Sequence, residues 1–233
     1  MNQFSRRSQE KELLDGDSID FNDLSQNLKE LRFINAYLGG HRITLKGFKS
    51  LSAGKKKISI CEIGCGGGDN LIALDNFCKK INIEATFTGI DINPACIEYA
   101  KENLQNRNIH FIIEDYKKVV FQKKPDILFS SLFCHHFSNE ELIDMLQWMK
   151  ANSNLGFFIN DLQRHPIAYY SIRFLTKIFS RSHLVKNDAP LSVLRGFRIN
   201  EWEKLLKLSG IKPVQIHWEW AFRYLIVYRN IPM

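Results

Sequence analysis

From about residue 58, short apolar runs alternate with stretches whose apolar positions recur at helical spacing. Ile58–Ile63, Ala85–Ile90, Ile109–Ile113, Asp126–Leu132 and Leu155–Ile159 read as strands. Asp69–Lys80, Pro94–Leu104 and Glu140–Lys150 read as the helices between them, the second with proline in its first turn. Continuous apolar strands joined through helices predict a parallel sheet covered on both faces. The alternation breaks at Gln163, where a helix-like apolar stretch and a loop are expected before a helix capped by Asn200 and Glu203 and ended by Gly210. Val214–Trp218 and Phe222–Tyr228 follow too closely for a crossover helix, so they pair antiparallel. Upstream, Leu24, Leu28, Leu31, Ile34 and Leu38 mark a helix stopped by Gly39-Gly40, and a second helix runs from about His41 to Leu51. The expectation is a doubly wound, Rossmann-like α/β fold with a seven-stranded, mostly parallel sheet. Residues 1–54 form a helical cap, 55–233 the main domain, and about 164–199 an insertion after the fifth strand.

Charge changes the picture only in the C-terminal third. Residues 1–163 carry 20 basic and 21 acidic side chains, whereas 164–233 carry 12 and 4, so the whole net charge of +7 is C-terminal. Such asymmetry suits a nucleic acid, a membrane surface or an anionic ligand, or simply a solvated basic face. The 5 cysteines follow no disulfide-framework spacing and read as buried thiols of a reducing compartment. The opening stretch, MNQFSRRSQEKELLDGD, is polar and lacks the apolar core of a signal peptide, and no run is long enough to span a bilayer. A cytoplasmic location is expected.

The turn after the first strand, Glu62-Ile63-Gly64-Cys65-Gly66-Gly67-Gly68-Asp69-Asn70, lies where doubly wound sheets bind ligands. It does not close in the Gly-Lys-Ser/Thr of a P-loop, and Asp69 stands where a dinucleotide fingerprint has its third glycine. That weakens the dinucleotide reading, and a third reading is an E-x-G-x-G-x-G loop, here Glu62, Gly64, Gly66 and Gly68, whose ligand carries no phosphate. Asp91, ending the second strand, is placed to accept from a ribose diol. Asp115, beyond the third strand, is placed to accept from an adenine amine, with Tyr116 nearby for stacking.

With GIDIN, EDY and DILFSSLFCHHF in register behind EIGCGGGDN, the chain resembles the class I S-adenosylmethionine-dependent methyltransferases over roughly residues 55–162. The resemblance implies S-adenosylmethionine as cofactor and S-adenosylhomocysteine as product. It implies that Gly64, Gly66 and Gly68 line the methionine part, Asp91 holds the ribose, Ile92 packs on adenine and Asp115 binds its amine. The backbone around Leu132 would hold the cofactor's amino end, and Glu62, Cys65, Asn70 and Tyr116 complete the expected cofactor set. The N-terminal residues resemble a bacterial subgroup of methyltransferase-domain proteins, some similar to enzymes that modify polyketide or quinone-like products.

Methyl transfer demands in-line positioning, desolvation and often proton removal from the acceptor. His135 and His136, after the fourth strand, are candidate bases, with His136 ahead; each is equally a packing residue. Cys134, His135 and His136 lack zinc-ligand spacing, so no metal is expected. Asp161 at the fifth strand's end, and Tyr170, Phe174, Arg195 and Phe197 in the insertion, are candidate acceptor contacts. Arg173, Lys177 and Arg181 recur every four residues beside the insertion's apolar face, as in a lid or a helix lying on an anionic membrane. The expected activity is methylation of a small hydrophobic aromatic, polyketide- or quinone-like acceptor, at oxygen before carbon. RNA methylation through the basic C-terminal segment ranks lower, as does a non-catalytic cofactor-binding module.

Overall fold

The computed structural model describes residues 3–16, 19–105 and 107–230; Met1, Asn2 and Asp17 of the opening polar stretch lie outside them. Seven strands form one sheet in the order β3-β2-β1-β4-β5-β7-β6. These are β1 (Lys57–Ile63), β2 (Glu84–Asp91), β3 (Ile109–Ile113), β4 (Ile127–Ser131), β5 (Gly156–Leu162), β6 (Val214–Glu219) and β7 (Arg223–Arg229). Pairings among β1 to β5 are parallel, and β7 runs antiparallel to both β5 and β6. The chain reverses winding direction between β1 and β4, which opens a crevice at their carboxyl ends.

Alternate strand residues feed two cores, which is why the strands read as continuous apolar runs. On one face Ile63, Leu128, Phe157, Ile159 and Ile226 pack against α5 (Asn139–Asn152) and α8 (Ile199–Leu208), with Trp202 fully buried. On the other, Ile60, Phe87, Phe129, Phe158 and Leu225 meet α2 (Gly40–Ser52), α3 (Asp69–Lys80) and α4 (Pro94–Asn103). Helix α2 therefore belongs to the sheet's own core, through Ile43, Phe48 and Leu51. Helix α1 (Phe21–Tyr37) lies farther out, burying Leu24 and Leu28 against Cys96 and Tyr99 of α4.

Two details depart from the sequence reading. The insertion holds two helices, α6 (Pro166–Phe179) and α7 (His183–Arg195), where a helix and a loop were expected. Proline inside a helix usually breaks it. Here Pro190 is buried in α7, and Leu184, Val185, Leu191 and Val193 bury around it, so packing overrides propensity. The cap of α8 is Arg198, whose backbone N–H donates to Glu201 Oε2 at 2.7 Å; Asn200 and Glu203 do not form it.

Candidate active site

The three alternate glycines of the first turn adopt left-handed backbone, φ +66° at Gly64, +49° at Gly66 and +74° at Gly68, conformations that cost a side-chain-bearing residue energy. At Gly64 even a Cβ would stand 2.2 Å from the Phe133 ring, so the loop presents bare backbone there. The loop is pinned from both sides. Gly66 N–H donates to Asp91 Oδ2 at 2.8 Å and Asn93 N–H to Asp91 Oδ1 at 2.9 Å, which fixes the carboxylate at the end of β2. Burial raises the Asp91 pKa above the ordinary aspartate value, and those two amides oppose the shift.

Glu62 is 1% exposed and receives Asn70 Nδ2 at 3.0 Å, but its Oε2 has no hydrogen-bond partner among the described residues. Burial, then the charges of Asp69 and Asp91, push its pKa well above the usual range. Asn70 in turn accepts from Thr44 of α2, so its amide is committed to joining α2, α3 and β1. Asp69 accepts from His41 Nε2 at 2.8 Å and Asn35 Nδ2 at 3.1 Å, tying the glycine loop to α1 and α2. Arg223, 2% exposed at the start of β7, donates Nη2 to Asn35 Oδ1 at 3.2 Å; its Nη1 has no partner among the described residues. Burial lowers its pKa to about 10.

Asn35, Glu62, Asp69, Asn70 and Arg223 border a cleft of about 1070 Å³, whereas Gly68, expected beside the cofactor, lies outside its lining. Gly64, Cys65, Gly66, Asp91, Ile92, Asp115 and Leu132 all line it. Ile92 is 69% exposed, a large apolar side chain held open beside Asp91. Asp115 spends Oδ1 capping the short turn after β3, where it accepts from Lys117 N–H at 3.0 Å. Leu132 is non-glycine at φ +54°, a strained conformation held by its N–H donating to Asn160 O at 2.8 Å. Tyr116 reaches the cleft wall but is 4% exposed, with Phe133, Phe137 and Trp148 packed edge-on around its ring. It is therefore core, not a platform free to stack on a base.

The acceptor-side residues need more correction. Asp161 is fully buried and lies outside the cleft lining; it accepts from Cys134 N–H at 2.7 Å, Phe133 N–H at 3.2 Å and His135 Nδ1 at 2.8 Å. Its position at a strand end suggested contact, but its lone pairs are taken by the turn after β4. Phe197 is fully buried against Trp202 and beneath the Arg7 guanidinium. Arg195 does border the cleft, yet its guanidinium donates to His135 O, His136 O and Glu10 O, so it serves as a clamp. Tyr170 and Phe174, 57% and 63% exposed, face away from the cleft; Ser171, Ile172 and Leu175 face it instead. The apolar stripe read from α6 was real, but it covers solvent surface.

His135 and His136 differ sharply. Burial alone would depress His135, but Asp161 and then Glu12 override it and raise its pKa to about 9. His135 is thus an imidazolium near neutrality. His136 is 21% exposed in its side chain, and its Nδ1 lies 3.1 Å from Asp15 Oδ1. Glu12 and Asp15 come from the N-terminal segment, over a hundred residues away, and no motif gave them a part beside the histidines. Glu12, His135 and His136 bring one ligand atom each within 4.8 Å of one another, a donor set that a metal ion accepts.

Known proteins share both sequence and fold with this chain. Residues 60–156 match the family model described as "Methyltransferase domain". A malonyl-[acyl-carrier protein] O-methyltransferase of Ilyobacter polytropus is 37% identical over 78 residues, 33% of this chain and 28% of its own length. One from Acetivibrio thermocellus is 27% identical over 106 residues, 44% and 36% of the two chains. The matched segment thus spans about a third of these curated relatives. Among solved structures, the plantazolicin methyltransferase BpumL with S-adenosylhomocysteine superposes with TM-score 0.64 at 19% identity, over 93% of this chain and 91% of that one. Human N-acetylserotonin methyltransferase with S-adenosylmethionine gives TM-score 0.65 at 17% identity, over 91% and 56%.

Proposed function

We propose that this chain, whose residues 60–156 carry a methyltransferase domain, transfers a methyl group from S-adenosylmethionine to a small apolar acceptor, at oxygen. The carrying observation is the single cleft that runs from the glycine loop and Asp91 to the underside of α6. At about 1070 Å³ it exceeds most single-ligand pockets, leaving room for cofactor and acceptor together. The residues present suit the cofactor. Glu62 Oε2 and Arg223 Nη1, both buried in the cleft wall and unpartnered among the described residues, leave an acceptor and a donor free, as a methionyl ammonium and carboxylate require. Asp91 would take the ribose, Ile92 the adenine face and Asp115 its amine, while Gly64 lets the loop backbone approach closely.

The bound cofactor would supply a methyl group on a sulfonium, so what is asked of the protein is orientation, desolvation and a proton acceptor. Orientation comes from a loop fixed by Asp91, Asp69 and Asn70. Desolvation would come from α6, whose Ile172 and Leu175 line the cleft. His136 is the base that fits, since it borders the cleft with Asp15 behind it, whereas His135 already holds its proton. Oxygen is favoured because the curated relatives are named O-methyltransferases. Three of the C-terminal cations, Arg164, Arg195 and Arg223, are buried, which weakens the case for RNA.

Titration calorimetry with S-adenosylhomocysteine tests the cofactor half. Asp91→Ala should weaken binding at least a hundredfold, and unchanged affinity would overturn the reading. His136→Ala should leave that affinity intact while lowering kcat by about 10²–10⁴ on an accepted phenol or carboxylic acid.

A further inference from the structure

Helix α6 leaves an uncommon surface uncovered. Ile167, Tyr170, Phe174, Ile178 and Phe179 are 59%, 57%, 63%, 55% and 75% exposed, and only Thr176 of the whole helix is buried. Contiguous exposed apolar area of this kind marks a docking site in a water-soluble fold. At about 100° per residue, Ile167, Tyr170, Phe174 and Ile178 share one stripe, with Ser171 and Leu175 of the cleft wall on one side of it. Arg173 and Lys177 lie on the other side, both exposed. Arg181 and Lys186 follow, also exposed, and no acidic residue occurs from 162 to 187. Glu30 of α1, the nearby carboxylate, accepts from Arg181 N–H at 2.9 Å and Ser182 N–H at 3.1 Å. Phe33 and Tyr37 stand three and seven residues beyond it on that side of α1, 61% and 73% exposed with their rings 4.2 Å apart.

A helix whose apolar stripe is edged on its outer side by cations, with no acidic residue in the helix, matches the interface of an anionic bilayer, where side chains enter the acyl boundary and Lys and Arg meet lipid phosphates. No helix among the described residues is long and apolar enough to cross a membrane, so the contact is peripheral. We infer that the outward face of α6 docks on an anionic phospholipid bilayer, from which an apolar acceptor passes behind the helix into the cleft. The docking stands on the surface alone; the acceptor's route rests on the methyl-transfer reading. It gives the exposed stripe and the cleft wall on adjacent sides of one helix a common purpose.

Co-sedimentation of the full chain with unilamellar vesicles tests the docking, with S-adenosylhomocysteine calorimetry run in parallel. Vesicles of phosphatidylcholine with 30 mol% phosphatidylglycerol should bind the protein at least tenfold better than phosphatidylcholine alone. Phe174→Ser with Ile178→Ser, both at exposed positions, should abolish that binding while leaving the melting temperature and cofactor affinity unchanged. Arg173→Glu with Lys177→Glu should weaken it at least tenfold. No binding to anionic vesicles overturns the docking, as does equal binding by wild type and the serine variant. So does a dimer in light scattering that the serine variant dissolves, because a second copy would then cover the stripe. Vesicle binding without cofactor affinity would instead retain the docking and remove the methyl-transfer reading.

Discussion

A carboxylate taken fully out of water survives as an anion only where donors surround it, and Asp161 meets that condition. It receives Cys134 N–H, Phe133 N–H, Leu162 N–H and the His135 ring. Burial would raise its pKa, but the His135 charge overrides that and lowers it, while His135 rises to about 9. Around the pair stand Glu12, 3.5 Å from His135 Nε2, the His136 ring, and Arg7 and Arg195, which donate to His135 O. A histidine whose folded pKa exceeds its unfolded value near 6.5 contributes stability fully below that value and loses it as pH rises through about 9. Asp161, shifted down, contributes above about 3.8 and loses it as pH falls through its depressed value. Stability should therefore decline between about pH 6.5 and 9 in the wild type. Asp161→Asn strands the imidazolium and should cost roughly 3 kcal/mol, or a melting temperature lower by roughly 6–12 °C. It should also flatten the alkaline decline. Calorimetric melts from pH 5 to 9 measure both, and a variant retaining the wild-type alkaline slope would refute this account of the pair.

At the scale of elements, α2 shows packing deciding against propensity. Alanine in place of a mid-helix glycine ordinarily gains about 1 kcal/mol. At Gly47, however, a Cβ would lie 2.5 Å from the Phe158 ring, which is fully buried and stacked on Phe129 at 4.8 Å. Neither ring has room to give, and overpacking costs about 1–3 kcal/mol. Net of that gain, Gly47→Ala should cost up to about 2 kcal/mol and lower the melting temperature by up to about 8 °C. Combining it with Phe158→Leu should cost less than the two separately, by thermal melts; simple additivity would show that the contact does not couple them. This contact also marks where sequence reading stops. Strands β1 to β4, α3 and the glycine loop were legible because period, turn glycines and strand-end carboxylates are local signals. Helix α7 was not, because Pro190 reads locally as a breaker and only burial outvotes it. The outward face of α6 was misassigned for a related reason: periodicity finds an apolar stripe but not what covers it. Glu12 and Arg223 carried no pattern, and Asp15 and Asn35 stood only in stretches of family resemblance without a role, since each acquires its role from a partner remote in the chain.

Seen as a whole, the molecule lines one side of its cleft with its own N-terminal segment, threaded across the insertion and the turn after β4. Ser8 N–H donates to Leu194 O at 3.0 Å, Arg7 to His135 O and Phe137 O, and Ser192 Oγ to Glu12 Oε1 at 2.8 Å. The firmest tie is Asp188 of α7, buried and accepting from the successive amides of Leu13 and Leu14 at 2.8 and 3.0 Å. Glu12 and Asp15, which face His135 and His136, are held by this tie, so a residue of the insertion governs electrostatics at the other end of the chain. Hydrogen bonds to a charged group contribute about 1.5–3 kcal/mol each, and local opening exposes whatever they hold. Asp188→Ala should therefore speed hydrogen exchange at the Leu13 and Leu14 amides at least tenfold while exchange in β1 and β4 stays slow. If the segment forms a wall of the cofactor's cleft, S-adenosylhomocysteine should slow the same amides in the wild type and bind the variant several-fold more weakly. Exchange unchanged by the substitution would place the tie elsewhere, in the grip of Arg7 and Arg195 on the turn after β4.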